Sequence, residues 1–382
     1  MSNLIEHQLR ILNPIGNLLT ILQDGYFASL TYGLRENEPG VLEFTLPNDF
    51  DTSLLMIDGI IEVYRAYGNL GFNLEGDTAW FIRKIYKGKD ENGVEVIFVR
   101  AYSALELMAR RIVAYYAGTS YTEKVNPWDT IIHEIVDQNF GPGSSYIGAS
   151  YGVDSDRNLE PWLTVETDLA MGASYCVSIP WQNVLAALQE IVLGVRSQGE
   201  YATFDVVYLG NGLFEFRIYI GARGIDHSAD SALPVVVSED RFNLLQPSID
   251  FDWEAESNFI FAAGQGEEID RIVKTAQDDA RIGISPFNRR EYFRDARQSE
   301  VPESIQSEAY TGLEENRPKR VFNGQIMQTE GCIYGVHWKW GDIVTAEYGG
   351  YSFDCHVDAI TVTINPDGSE SVVGYLRSEE DV

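Results

Sequence analysis

The residues able to do chemistry are few and scattered in this 382-residue chain. Its histidines are His7, His133, His227, His337 and His356, and its cysteines are Cys176, Cys332 and Cys355. No histidine stands in a His-Glu-x-x-His or similar zinc pattern. The tightest grouping is Cys332, His337, Cys355 and His356, and thiolate and imidazole are suitable zinc ligands. Yet Cys355 and His356 are neighbours in a run that reads as a strand, so their side chains point to opposite faces and do not easily share one ion. These four read as strand-packing residues, and no bound metal is expected. Gly264-Gln265-Gly266 follows a predicted strand, but there is no third glycine and no βαβ unit around it. It reads as a tight turn or bulge rather than a phosphate loop. Carboxylates are so abundant that some pair has glycosidase-like spacing by chance, which leaves a β-rich glycan hydrolase as a rival resting on abundance alone. No catalytic residue and no cofactor is predicted.

The basic residues are scarcer. Arg110-Arg111 closes an amphipathic run and suits a helix C-terminus, where cations complement the dipole. Arg289, Arg290, Arg294 and Arg297 stand among Glu291 and Asp295 as a basic cluster in an acidic chain. They read either as a mutually paired, solvated face or as candidate subunit contacts. Overall there are 58 acidic against 28 basic residues, a net charge of −30. Such a surface repels nucleic acid and anionic membranes without excluding a protein that handles DNA without gripping it. An odd, sparse set of three cysteines argues against a disulfide framework and fits assembly in a reducing cytoplasm. The N-terminus has no basic region followed by an apolar core, so no signal peptide is expected, and no apolar run long enough for a membrane span exists.

The elements that must hold these residues are mostly β. Val336–Arg377 looks like a second copy of Leu54–Arg100. Trp340-Gly341-Asp342 followed by Ile343-Val344 answers Ile57-Asp58-Gly59 followed by Ile60-Ile61. Each is followed by a strand, a turn at Asn92-Gly93 or Asp367-Gly368, and a second strand; such turns between β-rich runs signal hairpins. The offset is constant, since 360 − 85, 368 − 93 and 370 − 95 all give 275. Upstream, Leu19–Asp24 echoes Val235–Asp240, and Leu30–Leu34 echoes Ile249–Trp253. A repeat with so long a period sets the fold. The fold class expected is mainly β with α+β insertions: two duplicated antiparallel, barrel-like tube domains plus peripheral lobes. Residues 1–114 form the first β domain with a C-terminal helix around Ala104–Ile112, capped by Ser103. Residues 115–231 form an α+β region, with helices opened by Asn126-Pro127-Trp128-Asp129 and by Pro180–Val184 and a hairpin turning at Leu209–Gly212. Residues 232–266 and 317–382 form the second β domain, interrupted by a charged, partly helical segment at 267–316.

With those runs in view, a resemblance becomes specific. Asn258-Phe259-Ile260-Phe261-Ala262-Ala263-Gly264-Gln265-Gly266-Glu267, then Arg271, Arg290-Glu291 and Asp295-Ala296-Arg297, resembles the hub proteins of long-tailed, siphovirus-type phage tails. Gly40–Pro47, Gly59–Val63 and Ala104–Arg111 are similar to that family's opening domain. The resemblance covers nearly the whole chain and implies a homotrimer with two tube-like β domains per chain, hence a ring of six quasi-equivalent domains docked on a sixfold tail tube. It implies a virion component at the tail tip, assembled in the host cytoplasm, and contacts with distal tail ring and tail tube proteins, tape measure protein, and tail fibre or receptor-binding proteins. The chain ends at Val382, which puts wall degradation and direct receptor binding by this chain in doubt. The alternatives are a baseplate hub of a contractile injection or gene-transfer particle and, in a different class, a tail-associated cell-wall hydrolase. A trimer would carry 3 × (−30) = −90. Solvent-alternating acids on the two β units, Glu43, Glu62, Asp250, Asp252 and Asp358, are the candidates for an acidic lumen that keeps transiting DNA from binding.

Overall fold

The computed structural model describes residues 5–68, 70–90, 93–119, 121–150, 157–196, 200–299, 301–365 and 367–378. Up to Ser103 the described residues are mostly antiparallel β, with β1 (Ile5–Leu12), β2 (Leu18–Gln23), β3 (Ser29–Arg35), β4 (Glu38–Pro47), β5 (Ile60–Tyr67), β6 (Phe72–Leu74), β7 (Trp80–Lys89) and β8 (Glu95–Ser103). Alternation decides their faces: in β4, Leu42, Phe44 and Leu46 are fully buried while Val41 is exposed and Glu43 and Thr45 are half-buried.

The next region holds α1 (Glu106–Ala109), β9 (Thr122–Pro127), α2 (Trp128–Phe140), α3 (Ser144–Ser150), β10 (Leu163–Val165), β11 (Ser174–Ile179), α4 (Val184–Arg196), β12 (Ala202–Gly210) and β13 (Leu213–Ile220). The two expected helices and the hairpin are there. Pro127 stands just before the first turn of α2, Gly141 ends it, and the Asn183 side chain accepts from the Ala186 amide at the start of α4. Ile131, Ile135 and Val136 of α2 and Leu188, Ile191 and Val192 of α4 share one core with Phe204, Phe214 and Phe216 of the hairpin. One expectation fails here. The helix at 104–112 is a single turn, and Ser103 is the last residue of β8, its hydroxyl accepting from the Gly40 amide.

The chain then gives β14 (Asp226–His227), β15 (Val236–Ser238), β16 (Leu244–Asp252), β17 (Phe259–Ala263), β18 (Val273–Gln277), α5 (Asp279–Ile282), β19 (Glu291–Asp295), α6 (Pro302–Glu315), β20 (Lys319–Ile326), β21 (Ile343–Tyr348), β22 (Tyr351–Ile364) and β23 (Glu370–Arg377). The duplication is visible in the pairing. The strand order β3-β4-β8-β7-β5 recurs as β16-β20-β23-β22-β21, antiparallel at every step. Both copies have a bulge at the same place: the register shifts between Ile82 and Lys84 in one and between Val357 and Ala359 in the other, and 357 − 82 and 359 − 84 both give 275. Gly93 and Gly368 turn the equivalent hairpins, each with φ of 79° and each donating its amide, to Asp90 and Asn365 respectively. Asn92 of the expected turn lies outside the described residues.

The upstream echoes are less faithful. Leu30 pairs with Phe44, and Leu244 pairs with Ile326, Phe44's counterpart through Val99 and Gly374. The true offset there is 244 − 30, or 214, where the sequence echo implied 219. Period-two alternation does not fix register by itself, and β16 carries a bulge between Leu245 and Ser248. Nor does Val235–Asp240 take the place of β2: β15 lies directly on β21 and parallel to it, whereas β2 lies on β1, antiparallel. Phe259–Ala263, placed by sequence in the second repeat, instead forms a small sheet with β18 and β19 under α6.

Among the described residues the pairing does not close the repeats into separate barrels. β22 of the second copy pairs with β3 of the first over six residues, and among the described residues this makes one 15-stranded sheet whose order runs from β16 to β2. A single core joins Leu9, Tyr32, Phe44 and Trp80 to Trp338, Phe353, Val357 and Val362.

Candidate functional site: charged junctions between the repeats

Where the two copies meet, charges are buried. Arg65 of β5 donates from Nε and Nη2 to the two oxygens of Glu370 in β23, at 2.7 and 2.8 Å, and from Nη1 to the Tyr334 carbonyl at 3.0 Å. Both side chains of the pair are 3% exposed. His7 Nε2 of β1 lies 3.2 Å from the same carboxylate. Burial alone would raise Glu370, but the Arg65 hydrogen bonds and His7 hold its carboxyl down at about 2. Glu75 is close by and accepts from the Tyr334 and Tyr32 hydroxyls at 3.0 and 3.3 Å. Burial raises its carboxyl above the usual range, against the pull of Arg65.

A second junction lies at the β3–β4 turn. Tyr201 donates to Glu36 at 2.5 Å and stacks on His356 of β22 at 4.1 Å. Asn37, with φ of 56°, accepts from the Phe204 amide through its side chain and from Gln189 through its carbonyl. Burial pushes the Glu36 carboxyl up to about 7, more than the Tyr201 bond and Arg196 pull it down. Sequence reasoning named His7 and His356 among the histidines but placed none of these residues at a buried junction. A buried Arg, Glu or His at a core-facing strand position carries no spacing pattern.

The predicted arginines do not form one surface. Arg294 donates to Glu308, Glu315 and Glu190, at 2.7, 2.5 and 3.3 Å, tying β19 to α6 and α4. Arg290 donates to the carbonyls of Trp253 and Glu254. Arg289 and Arg297 remain at the surface, beside Glu291 and Asp295 respectively, and Arg289 also lies 3.8 Å over the Phe259 ring. Other residues of the same run are staples of the small sheet. Asn258 accepts from the Arg290 amide, and Arg271 donates to the carbonyls of Ala263 and Gly264 and to Asp295. Gly264-Gln265-Gly266 is a turn, with Gly266 at φ of 109°. Arg110 pairs with Glu106 and Asp58, while Arg111 is half-buried, stacks on Phe140 at 4.5 Å and donates to the carbonyls of Asn139 and Arg157. Neither arginine caps a long helix.

The predicted acids are also dispersed. Glu62 is a correction: it is 6% exposed and accepts from Tyr208 at 2.7 Å, because its face of β5 is covered by β12. Glu43 is half-buried and paired with Arg100. Asp358 is the bulge residue of β22, half-buried, with its carboxyl raised by burial against the pull of Arg377 and Arg35. Asp250 and Asp252 are exposed, on the outermost strand β16. Cys355 points into the core and His356 away from it, as strand alternation requires. His337 Nδ1 accepts from the Ile333 amide, and no group of three or more metal-ligating side chains occurs among the described residues. Among them, too, no helix is long and apolar enough to cross a membrane.

A family model described as Siphovirus ReqiPepy6 Gp37-like protein matches residues 8–374. No curated protein matches the chain. Solved structures do. A tail protein from Neisseria meningitidis MC58 superposes with a TM-score of 0.55 at 10% identity, covering 98% of this chain and 96% of that one. The 43 kDa tail protein of prophage MuSo2 from Shewanella oneidensis gives 0.54 at 12% identity, covering 97% and 98%. The prophage tail protein gp18 from Listeria monocytogenes EGD-e gives 0.50 at 11% identity, covering 98% and 95%. At such identities the likeness speaks for the fold.

Proposed function

Because this chain belongs to the Siphovirus ReqiPepy6 Gp37-like protein family, and is thus a phage tail protein of the siphovirus type, we propose that it is the structural hub of the tail tip: three copies form a ring of six quasi-equivalent β units that closes the distal tube and lets DNA through. The observation that carries this is the duplication. Two copies of one strand order, with matching bulges and turns, are joined edge to edge by β22 and β3. A chain built this way presents each kind of surface twice, which suits a threefold object on a sixfold tube.

The role is structural rather than enzymatic, and the repeats, not a catalytic set, are its working parts. DNA passes without being held because the ring as a whole is acidic, at −30 per chain. The region 115–231 and the segment 267–316 lie at the periphery and contact neighbouring tail components, such as the tail tube, distal ring, tape measure and fibre proteins. Arg289, Arg290 and Arg297 are the predicted arginines left at the surface for such contacts. Gold-labelled antibody against the chain on intact virions tests the placement. Label confined to the distal tip supports it; label along the tube or on the head overturns it.

A further inference from the structure

The junction between β22 and β3 occurs once inside the chain, yet each of its two edges has a counterpart that is left open. In β22, Ala359–Ile364 pairs with Arg35–Leu30 of β3. The counterpart of Ala359–Ile364 at the offset of 275 is Lys84–Lys89 of β7. That stretch pairs with β8 on one side and, among the described residues, with no strand on the other. The counterpart of β3 is β16, which among the described residues pairs only with β20 and ends the sheet. Unpaired strand edges are templates for another chain.

We propose that the open edge of β7 in one copy pairs with the open edge of β16 in a second copy of this chain, repeating between chains the junction that β22 and β3 make within one. The proposal rests on the ring reading above and names the surfaces that would close it. The register follows from the internal copy. Gly33 pairs with Val41, whose counterpart Asn323 pairs with Ser248, so Ser248, Ile249 and Asp250 stand for Gly33, Leu34 and Arg35. Thr361↔Gly33, Ile360↔Leu34 and Ala359↔Arg35 then become Tyr86 opposite Ser248, Ile85 opposite Ile249 and Lys84 opposite Asp250.

Two independent features fit this register. The first is apolar: inside the chain Leu34 and Ile360 are 4% and 1% exposed, but Ile85 is 40% exposed, and Ile249 is only partly buried against the same core. Pairing the edges buries both, as cross-strand neighbours. The second is charge. In this register Lys84 stands directly opposite Asp250, and Arg83 lies at the end where β16 runs into Asp252 and Glu254, while Lys87 and Lys89 fall beyond the paired stretch. Opposite signs directly across an antiparallel pair are favourable and like signs are not, so the edges select each other over themselves. Pro247, which has no N–H, and the bulge beside it limit the pairing to the Ser248–Asp252 half of β16. The contact is head-to-tail, which gives a ring if the rotation closes.

The test is the double variant Lys84→Cys/Asp250→Cys in the full chain, oxidised and run without reductant, with native mass measured in parallel. Opposed residues on antiparallel strands stand about 4.5–5.5 Å apart, within disulfide range. The native cysteines Cys176, Cys332 and Cys355 are all buried, so the background is low. The expected result is a ladder of two and three linked chains that ends at three, with neither single variant linking. A three-copy assembly whose double variant does not link overturns this edge assignment and leaves the ring standing. A linked ladder running past three keeps the edge and overturns the three-copy ring. A monomer by native mass that does not link overturns both.

Discussion

Arg65 and Glu370 are 305 residues apart and belong to different repeats, yet they form a two-pronged ion pair in the shared core. Such a pair is a poor source of net stability but a strong constraint, because removing one partner leaves the other charged and buried. It fixes how the first repeat sits on the second. Arg65→Ala is expected to cost about 3–5 kcal/mol. Replacing both, as Arg65→Met with Glu370→Leu, should cost much less. Urea midpoints at neutral pH measure the difference; equal losses would mean that the pair does not act as a unit.

The same carboxylate sets the acid limit. Glu370 titrates at about 2 in the fold, below its ordinary 4.5, so its contribution is present above pH 4.5 and is lost as pH falls toward 2. Glu36 acts in the opposite sense. Its folded value is about 7, so the folded state binds the proton more tightly, and stability falls as pH rises from about 4.5 to 7, by up to about 3 kcal/mol. Glu36→Gln should remove that slope while keeping the Tyr201 contact. An unchanged slope between pH 5 and 7 would show that Glu36 is not its source.

The hairpin glycines test the duplication energetically. Gly93 has φ of 79° and open space where a Cβ would stand, so Gly93→Ala should cost about 1 kcal/mol, the left-handed backbone penalty alone. Gly368→Ala should match it. Gly40 is different: a Cβ there would lie 2.4 Å from the Gly33 carbonyl oxygen, and Gly40→Ala should cost about 1–3 kcal/mol through displacement of β3. Thermal denaturation of the three variants gives the comparison. A large gap between Gly93 and Gly368 would argue that the turns are not equivalent.

Much of this was legible in the sequence because turns and strand lengths leave marks. The offset of 275 holds at the bulges and at the glycines, where backbone chemistry restricts residue choice. The separate echo at β3 failed, because alternation was its sole guide and a bulge in β16 moves the offset from 214 at Leu244 to 215 at Ser248. The helix at 104–112 was overcalled because its apolar spacing serves packing against α4 rather than a continuous helix. The buried cluster of Arg65, Glu370, His7 and Glu75 was invisible, since it assembles from four strands and turns far apart in sequence. The basic run Arg83-Lys84…Lys87…Lys89 was there to be read, denser than the arginines of 289–297, and was passed over because it lies within a plain strand.

Acidity should show in contact with DNA. Non-specific DNA-binding proteins typically reach about 10⁻⁴ to 10⁻⁶ M. This chain should show no retention of duplex DNA in a filter assay at about 10⁻⁵ M protein and near-physiological salt. Retention that weakens with added salt would reveal a basic lining and contradict passage without binding.

The central claim is that duplicated units build a closed ring of three chains. Native mass spectrometry of the purified full chain addresses it most directly. One chain is 42.9 kDa, so three give 3 × 42.9, or 128.7 kDa. A dominant species at that mass, persisting on dilution, is the predicted result; a single chain at 42.9 kDa across the whole concentration range would contradict it.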